Sequence, residues 1–216
     1  MKGLLKSIEL FRMTHIDNIP HILTHGITHK SSKNANPDYI TIGDKSLIST
    51  REQKQANVTN GEDKIIKTIT LGDFIPFYFG TKMPMLYVIQ NGGNFTTKTS
   101  SSDIVYMVCS LSKIIELENI EYYFCDGHAT DYLTTFYDSN LIYQIEKILD
   151  WPSINTQYWG GEENLEVKRK KQAEFLVKGD LPVEVIEYFI CYDDMAEKKL
   201  KNFGVKSIKK NKNAYY

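Results

Sequence analysis

The order of the predicted secondary-structure elements indicates an α+β fold. Short segments rich in β-branched and aromatic residues are interspersed irregularly with helical segments along the 216 residues. The regular β-α alternation of a doubly wound sheet is absent, and so are the glycine fingerprints of P-loop and Rossmann domains. A chain of this length can bury one sizeable core, so we expect a single domain over residues 1–216.

The first third of the chain contains a predicted strand, a helix and a long loop. Ile8–Met13 is short and apolar-rich, which is typical of a strand. A helix is predicted over Ile19–His25, because polar residues precede it, Pro20 is tolerated in its first turn and Gly26 can end it. Thr28–Glu62 is mostly polar, and we expect a long functional loop that carries one short helix.

The middle of the chain is dominated by predicted strands. Phe77–Phe79 is predicted to be a strand that ends in a turn, and an apolar segment follows from Met85. Ile104–Cys109 is an unbroken apolar run, as expected for a buried strand. Leu111–Leu117 is predicted to be a short helix, and Glu121–Cys125 the next strand.

The last third is predicted to mix helices, a loop and strands. We expect one or two helices over Tyr132–Leu149 and a loop over Trp151–Glu166. Val183–Cys191 is predicted to contain a strand, and Met195–Asn202 is predicted to be an amphipathic helix.

Lys168–Val177 is the most informative segment of the sequence. Four cations lead into a run that ends in apolar residues, a pattern that predicts a strand entered from a polar loop. Glu174 lies near the start of that strand between large apolar neighbours. A carboxylate held in this way can stabilise a positive charge that develops in a reaction. A solvated carboxylate on an edge strand is the alternative interpretation.

Charge and cysteine content exclude several classes of protein. The formal net charge of −1 argues against binding to nucleic acid through overall charge, although Lys168–Lys171 and the C-terminal lysines form local basic patches. The three cysteines show no CxxC spacing, so we expect buried thiols and no metal site. No signal peptide or membrane span is predicted, and we expect a cytoplasmic protein without a membrane partner.

One group of residues predicts a ligand pocket. The sequence lacks the GxSxG motif that would indicate a serine hydrolase. His15, Arg51, the aromatic run Phe77–Phe79 and Glu174 together suit an aromatic ligand that carries phosphate, because rings can stack on its base and a guanidinium can bind its phosphates. Each member also has a structural alternative: Tyr78 as a core residue, Arg51 as a solvated cation and His15 as a turn residue.

Three stretches of the sequence resemble the DarT family of DNA ADP-ribosyltransferase toxins. They are RMTHIDNIPHILTHG (Arg12–Gly26), DFIPFYFGTKMPMLYVI (Asp73–Ile89) and KKQAEFLV (Lys170–Val177), in the family's order. The terminal Tyr215 and Tyr216 also resemble the family's aromatic end. The resemblance extends over nearly the whole chain.

The resemblance implies a fold, a reaction and two partners. The fold would be an ADP-ribosyltransferase fold, with two small β-sheets packed around a cleft for NAD+ and flanking helices. The reaction would transfer ADP-ribose from NAD+ onto a base of single-stranded DNA, typically thymine, and release nicotinamide. The second partner would be a DarG-like macrodomain antitoxin. Transfer to guanine, RNA or protein, and a non-catalytic nucleotide-binding domain, are the competing hypotheses.

The resemblance also implies roles for individual residues. Glu174 falls on the family's catalytic glutamate, and Arg51 on an arginine implicated in catalysis. Some family members have a histidine where this chain has Arg12, so the role of Arg12 would differ. Residues expected to contact NAD+ are Arg12, Thr14, His15, Asp17, Phe77 and Tyr78.

The segment before Glu174 corresponds to the loop that contacts the acceptor in this fold. Aromatic rings and cations together are suited to holding a single strand. The three glutamates at 162, 163 and 166 argue against a simple cationic surface. The residues expected to bind DNA are Tyr158, Trp159, Lys168, Arg169, Lys170 and Lys171.

Overall fold

The computed structural model describes residues 5–62, 64–93 and 95–216, and the described strands form one mixed sheet. Residues 1–4, 63 and 94 of the predicted domain lie outside this description. The strands are β1 (Glu9–His15), β2 (Gln55–Thr59), β3 (Ile65–Thr70), β4 (Phe74–Tyr78), β5 (Ile104–Ser110), β6 (Glu121–Cys125), β7 (Phe136–Tyr137), β8 (Glu174–Lys178), β9 (Ile186–Cys191) and β10 (Ile208–Lys210).

The described helices flank this sheet. They are α1 (Ile19–His25), α2 (Lys45–Gln53), α3 (Pro84–Asn91), α4 (Leu111–Ile115), α5 (Ile145–Ile148), α6 (Trp151–Asn155), α7 (Leu165–Lys171) and α8 (Asp194–Asn202). Among the described residues, no helix combines the length and the apolar character needed to cross a membrane.

The sheet consists of two halves that meet between β1 and β4. Its strand order is β10-β9-β5-β1-β4-β8-β6-β7-β2-β3. At the junction, the register contains a single Cα pair, Phe11 opposite Tyr78, whereas β1 pairs with β5 from Glu9 to His15. The two small sheets expected from the family resemblance are therefore halves of one continuous sheet. The halves diverge beyond this one pair, and a cleft lies at the divergence.

Strand β5 is covered on both faces, as its unbroken apolar sequence predicts. Val105, Met107 and Cys109 belong to the main hydrophobic cluster. The alternate residues of the strand, including Tyr106, belong to a second cluster with Leu86 and Ile89 of α3. The two clusters thus hold the first half of the sheet between two layers of side chains.

Helix α1 has the predicted bounds, and a glycine is required at its end. Gly26 has φ +76°, and a Cβ at this position would lie 2.1 Å from the carbonyl oxygen of Leu181. Only glycine accommodates both the backbone angle and this close approach. The strand predictions at Glu121–Cys125 and Ile104–Cys109 are also confirmed, the latter with one additional residue.

Three predictions of local structure are wrong in part. The polar segment Thr28–Glu62 contains the expected short helix, but also β2, whose buried residues are Ala56 and Val58. Tyr132–Leu149 contains β7 and a 3-10 helix in addition to the one short α-helix α5. Trp151–Glu166 is not a loop throughout, because it includes α6 and the start of α7.

Candidate active site

Glu174 lies at the centre of the sheet, at the start of β8. Its register partners are Tyr78 on β4 and Cys125 on β6, and the residue is 1% exposed. The predicted partly desolvated carboxylate is therefore confirmed, and the solvated alternative is wrong. Because β4 is the strand at the junction of the two halves, the carboxylate lies beside the cleft.

Arg51 binds Glu174 directly. Its Nη1 atom lies 3.1 Å from Oε1 and 2.9 Å from Oε2 of the carboxylate, and the Ala129 backbone N–H donates to Oε1 at 3.2 Å. The Nη2 atom of Arg51 is buried and has no hydrogen-bond partner within the described chain. The guanidinium therefore holds the carboxylate with one nitrogen and keeps a free donor on the other.

Helix α2 brings Arg51 to the site from the long polar segment. Asp44 caps the helix by accepting hydrogen bonds from the backbone N–H groups of Ser46 and Leu47. The Ser46 hydroxyl also bonds the Asp44 carboxylate, and it is the main cause of the lowered pKa of Asp44. The helix begins at this cap and places Arg51 in its last turn, facing β8.

Burial favours the neutral forms of three groups around Glu174, whereas Arg51 stays charged. Burial raises the pKa of the Tyr78 hydroxyl, and the charge of Glu174 raises it further. The same two causes raise the pKa of the Cys125 thiol. Burial lowers the pKa of His128 against the opposing effect of Glu174. Burial is the largest single effect on Arg51 and lowers its pKa, but the charge and hydrogen bond of Glu174 together with Tyr78 and Cys125 outweigh it, so the pKa of the guanidinium is raised.

A cleft of about 320 Å³ opens next to this ion pair. This volume is at the lower end of the range for ligand pockets. Two of the residues predicted to contact NAD+, Arg12 and Tyr78, line the cleft, and Arg12 donates to the Pro76 carbonyl at 2.9 Å. Other lining residues are Met13, His29, Tyr39, Ile42, Leu47, Arg51, Gly72, Met85, Ile89, His128 and Thr130.

Thr14 supports the cleft from behind and does not line it. The residue is fully buried, and its hydroxyl hydrogen-bonds the Tyr39 hydroxyl at 3.2 Å. The Asn18 side chain donates to Thr14 Oγ1 and to the Ile40 carbonyl, and it accepts from the Ile40 N–H, each at 2.9 Å. Thr14 and Asn18 together fix the loop that places Tyr39 in the cleft wall.

His15, Asp17 and Phe77 are placed outside the cleft lining. The His15 Nδ1 atom accepts from the Asp17 N–H at 3.2 Å, and Asp17 forms an ion pair with Lys199 at 2.7 Å. These contacts make His15 a turn residue, one of the two interpretations that its sequence context allows. The prediction that Phe77 forms part of the cleft wall is wrong, because the strand directs its side chain into the main core, opposite to Tyr78.

The cations before Glu174 have different environments, because they lie in helix α7 and not in a loop. Lys168 is exposed, with its ammonium 5.3 Å from the centre of the Trp159 ring. Lys170 is half-buried and pairs with Asp150 at 3.1 Å. Tyr158 is exposed in the loop between α6 and α7. These residues remain candidates for contact with the acceptor.

Arg169 and Lys171 are structural, which corrects their prediction as DNA-binding residues. Arg169 is buried and pairs with Glu166 at 2.7 Å and Asp126 at 3.2 Å. Lys171 is 1% exposed and donates to the carbonyls of Ile154 at 2.9 Å and Thr156 at 2.8 Å. Their charged groups are used within the protein, so they are unavailable to a phosphate.

Sequence reasoning missed several residues of the site. His128, Tyr39 and Met85 line the cleft, and Ala129 binds the carboxylate of Glu174. Both His128 and Ala129 follow β6 in the chain, and their position beside Glu174 depends on the pairing of β6 with β8. Among the residues that the structure describes, no group of three or more His, Cys, Asp or Glu side chains is arranged to hold a metal ion.

Comparison with known proteins assigns the chain to a family. The DarT family, described as ssDNA thymidine ADP-ribosyltransferase, matches residues 11–215. A DNA ADP-ribosyl transferase of Escherichia coli O127:H6 is 29% identical over 196 residues, which cover 90% of this chain and 84% of the relative. A DNA ADP-ribosyl transferase of Thermus aquaticus is 36% identical over 191 residues, covering 82% of this chain and 72% of the relative.

Solved structures agree with this assignment. Thermus sp. 2.9 DarT in complex with ADP-ribosylated ssDNA has a TM-score of 0.75 and 27% identity, over 97% of this chain and 96% of that one. The same protein in complex with NAD+ has a TM-score of 0.72 and 26% identity, over 97% of this chain and 98% of that one.

A further relative by sequence is a fusion protein. This DNA ADP-ribosyl transferase–DNA ADP-ribosyl glycohydrolase fusion protein of Thermosipho africanus is 28% identical over 170 residues, covering 78% of this chain and 38% of the fusion. The chain belongs to the DarT family of ssDNA thymidine ADP-ribosyltransferases.

Proposed function

We propose that this chain transfers ADP-ribose from NAD+ to thymine in single-stranded DNA, with Glu174 as the catalytic carboxylate. The observation that carries the proposal is the buried ion pair of Glu174 and Arg51 at the edge of a cleft. A fixed carboxylate in a partly desolvated site stabilises a developing cation more strongly than one in water. NAD+ is the co-substrate, and no metal takes part in the proposed reaction.

The proposed chemistry begins with cleavage of the bond between nicotinamide and its ribose. The electron pair of this C–N bond leaves with the nicotinamide, and the ribose carbon becomes oxocarbenium-like. Glu174 accepts a hydrogen bond from a ribose hydroxyl and stabilises the positive charge. A nitrogen of the thymine base then donates its electron pair to form a new bond to the ribose carbon, and the proton of that nitrogen passes to water. Tyr78, opposite Glu174, is proposed to contact the nicotinamide end.

Arg51 is proposed to act on the acceptor base. Its Nη1 atom is occupied by Glu174, so the free Nη2 atom lies at the same reacting centre. A donor in this position is suited to polarise a carbonyl oxygen of thymine and make the neighbouring nitrogen easier to deprotonate. The NAD+ phosphates and riboses are assigned to Arg12, the other cleft-lining arginine.

The acceptor strand is proposed to enter beside α7. Trp159 and Tyr158 supply rings for stacking, and the exposed Lys168 supplies a cation for the phosphate backbone. Glu166, although it lies on the same helix, is paired with Arg169, which reduces its repulsion of the strand.

We also propose a partner and a location. A DarG-like macrodomain antitoxin is the expected partner, and this is supported by the Thermosipho africanus relative in which transferase and glycohydrolase are fused. A toxin of this chemistry needs both NAD+ and accessible single-stranded DNA, so we place its action in the cytoplasm.

Release of nicotinamide tests the proposal. Wild-type protein, Glu174→Gln and the matched surface variant Glu118→Gln are incubated with NAD+, with and without a thymine-containing single strand. We expect DNA to increase nicotinamide release by the wild type and by Glu118→Gln, while Glu174→Gln is slower by roughly 100- to 1,000-fold. Release that RNA or a protein stimulates and DNA does not would contradict the proposed acceptor.

A further inference from the structure

Three aromatic rings from distant parts of the chain form a cluster at the surface, which we call the aromatic platform. Its members are Tyr87 of α3, Trp159 of the α6–α7 loop and Tyr216. The ring centres of Tyr87 and Tyr216 are 5.4 Å apart, those of Tyr87 and Trp159 6.0 Å, and those of Trp159 and Tyr216 6.3 Å. Each pair meets edge to face.

Two of the three rings of the platform are exposed to solvent. Tyr87 is 48% exposed and Tyr216 is 38% exposed, whereas Trp159 is half-buried. Rings that served only to fill a core would be buried, and a cluster of exposed rings is more typical of an interaction site. The Tyr87 hydroxyl makes no hydrogen bond with any described residue. A hydrogen bond within the described chain therefore does not account for the exposed position of this ring.

Two cations flank the rings. The Lys168 ammonium lies 5.3 Å from the centre of the Trp159 ring, and the Lys82 ammonium lies 5.4 Å from the centre of the Tyr216 ring. Neither ammonium forms an ion pair with a carboxylate in the part of the chain that the structure describes. Exposed rings with unpaired cations beside them are complementary to the bases and phosphates of a single strand.

The backbone beneath the platform is held firmly. Lys82 has φ +53°, an uncommon angle for a residue with a side chain. Its N–H donates to the Tyr106 hydroxyl at 3.2 Å, and its carbonyl accepts from the Tyr216 hydroxyl. The Gln90 side chain bonds both the N–H and the carbonyl of Tyr216. The platform is therefore a preformed surface.

The platform lies near the reacting centre but outside the cleft. Lys82 follows Tyr78 by four residues, so their Cα atoms are at most roughly 14 Å apart. Met85 and Ile89 of α3 line the cleft, whereas Tyr87 projects from another side of the same helix. A ligand on the platform thus lies outside the cleft that is proposed to hold NAD+, and beside a residue four positions from Tyr78.

We propose that the aromatic platform stacks a base next to the thymine that is modified. This inference rests on the proposed function, and it adds a specificity site for the flanking DNA. The target base reaches Glu174 while its neighbour stacks on the ring of Tyr87 and meets the Trp159 ring at its edge, and Lys82 and Lys168 neutralise the adjoining phosphates. The neighbour thereby holds the strand in register with the reacting centre.

Abasic substitution in the DNA combined with removal of one ring tests this inference. Each oligonucleotide carries one thymidine. In a series of strands, a single abasic site replaces the base at one of the two positions on either side of that thymidine. Wild type and Tyr87→Ala are compared by kcat/KM for transfer to DNA. Tyr87→Phe preserves the ring, and Tyr143→Ala removes an exposed tyrosine elsewhere as the matched control.

We expect the loss of kcat/KM from the abasic site and the loss from Tyr87→Ala to be non-additive. Removing one flanking base should slow the wild type by roughly 5- to 150-fold, the range that corresponds to one stacked base. Tyr87→Ala should show a similar loss on the intact strand and no further loss on that abasic strand. Tyr87→Phe and Tyr143→Ala should behave as the wild type.

Two results would overturn the inference. In the first, Tyr87→Ala lowers kcat/KM by the same factor on the intact strand and on every abasic strand. In the second, Tyr87→Ala does not lower kcat/KM on any strand. Melting temperature and nicotinamide release without DNA, both expected to be unchanged in Tyr87→Ala, separate these results from misfolding. If the wild type modifies no DNA at all, the proposed function fails before the platform is tested.

Discussion

The Arg51 guanidinium lies against both carboxylate oxygens of Glu174, although the two residues are 123 positions apart in sequence. The contact joins the end of helix α2 to the start of strand β8. It fixes the carboxylate beside the cleft and leaves a buried donor of Arg51 free. This one relationship assembles the proposed catalytic pair from two segments, and neither segment alone indicates the pairing.

Two replacements of Arg51 should distinguish the contribution of its charge to the rate from that of the arrangement of its donors. Arg51→Gln should lower kcat/KM for DNA transfer by roughly 100- to 1,000-fold, because it removes an electrostatic group at the reacting centre. Arg51→Lys keeps the charge but loses the planar arrangement of donors, so it should recover only part of the rate. Full activity of Arg51→Lys would show that the free Nη2 donor is not used.

Removal of the Thr14 hydroxyl should weaken the binding of NAD+ without slowing the chemical step. Thr14→Val abolishes the bonds to Tyr39 and Asn18, each expected to contribute about 1 kcal/mol. We expect a higher KM for NAD+ and a kcat near that of the wild type in steady-state assays. Thr24→Val, at an exposed position in the neighbouring helix, is the control. A large fall in kcat with unchanged KM would contradict the supporting role.

Two lysines of the same cationic run should give opposite results. Lys168→Met should leave thermal stability unchanged and reduce the slope of log affinity for DNA against log salt by about 0.7. Lys171→Met should lower the free energy of unfolding by roughly 1–3 kcal/mol, because the carbonyls of Ile154 and Thr156 lose their donor. A salt slope reduced by Lys171→Met, with normal stability, would restore its predicted contact with DNA.

His128 should make stability depend on pH. Burial lowers its pKa in the folded protein below the ordinary value of 6.5, and the unfolded chain regains that value. Between these two values the unfolded state binds more protons, so the free energy of unfolding falls as the pH falls below 6.5. Denaturation at about pH 7 and about pH 5 should show a smaller difference for His128→Gln than for the wild type. An identical difference in the two proteins would exclude this contribution.

Local signals in the sequence predicted several elements correctly. Pro20 and Gly26 fix the bounds of α1, and an unbroken apolar run identifies β5 as buried. Glu174 could be selected because a carboxylate between apolar residues is unusual in a strand. In each of these cases, the residues within one short segment carry the whole signal.

The missed features depend on contacts between distant segments. Strand β2 has only Ala56 and Val58 on its buried face, too few apolar residues for a pattern to show. Helix α7 buries Arg169 and Lys171, which composition places in solvent. His128 joins the site because β6 pairs with β8, and Tyr39 because Asn18 and Thr14 hold its loop. Sequence patterns do not report strand order or buried ion pairs.

Intact-mass analysis of single-stranded oligonucleotides tests the central claim most directly. Strands that differ in base composition are incubated with NAD+ and either the wild type or Glu174→Ala. We predict that the wild type adds one ADP-ribose to strands that contain thymine, and that Glu174→Ala adds none in the same time. Equal modification by Glu174→Ala, or no adduct on any strand with the wild type, would contradict the assignment of Glu174 as the catalytic carboxylate of a DNA ADP-ribosyltransferase.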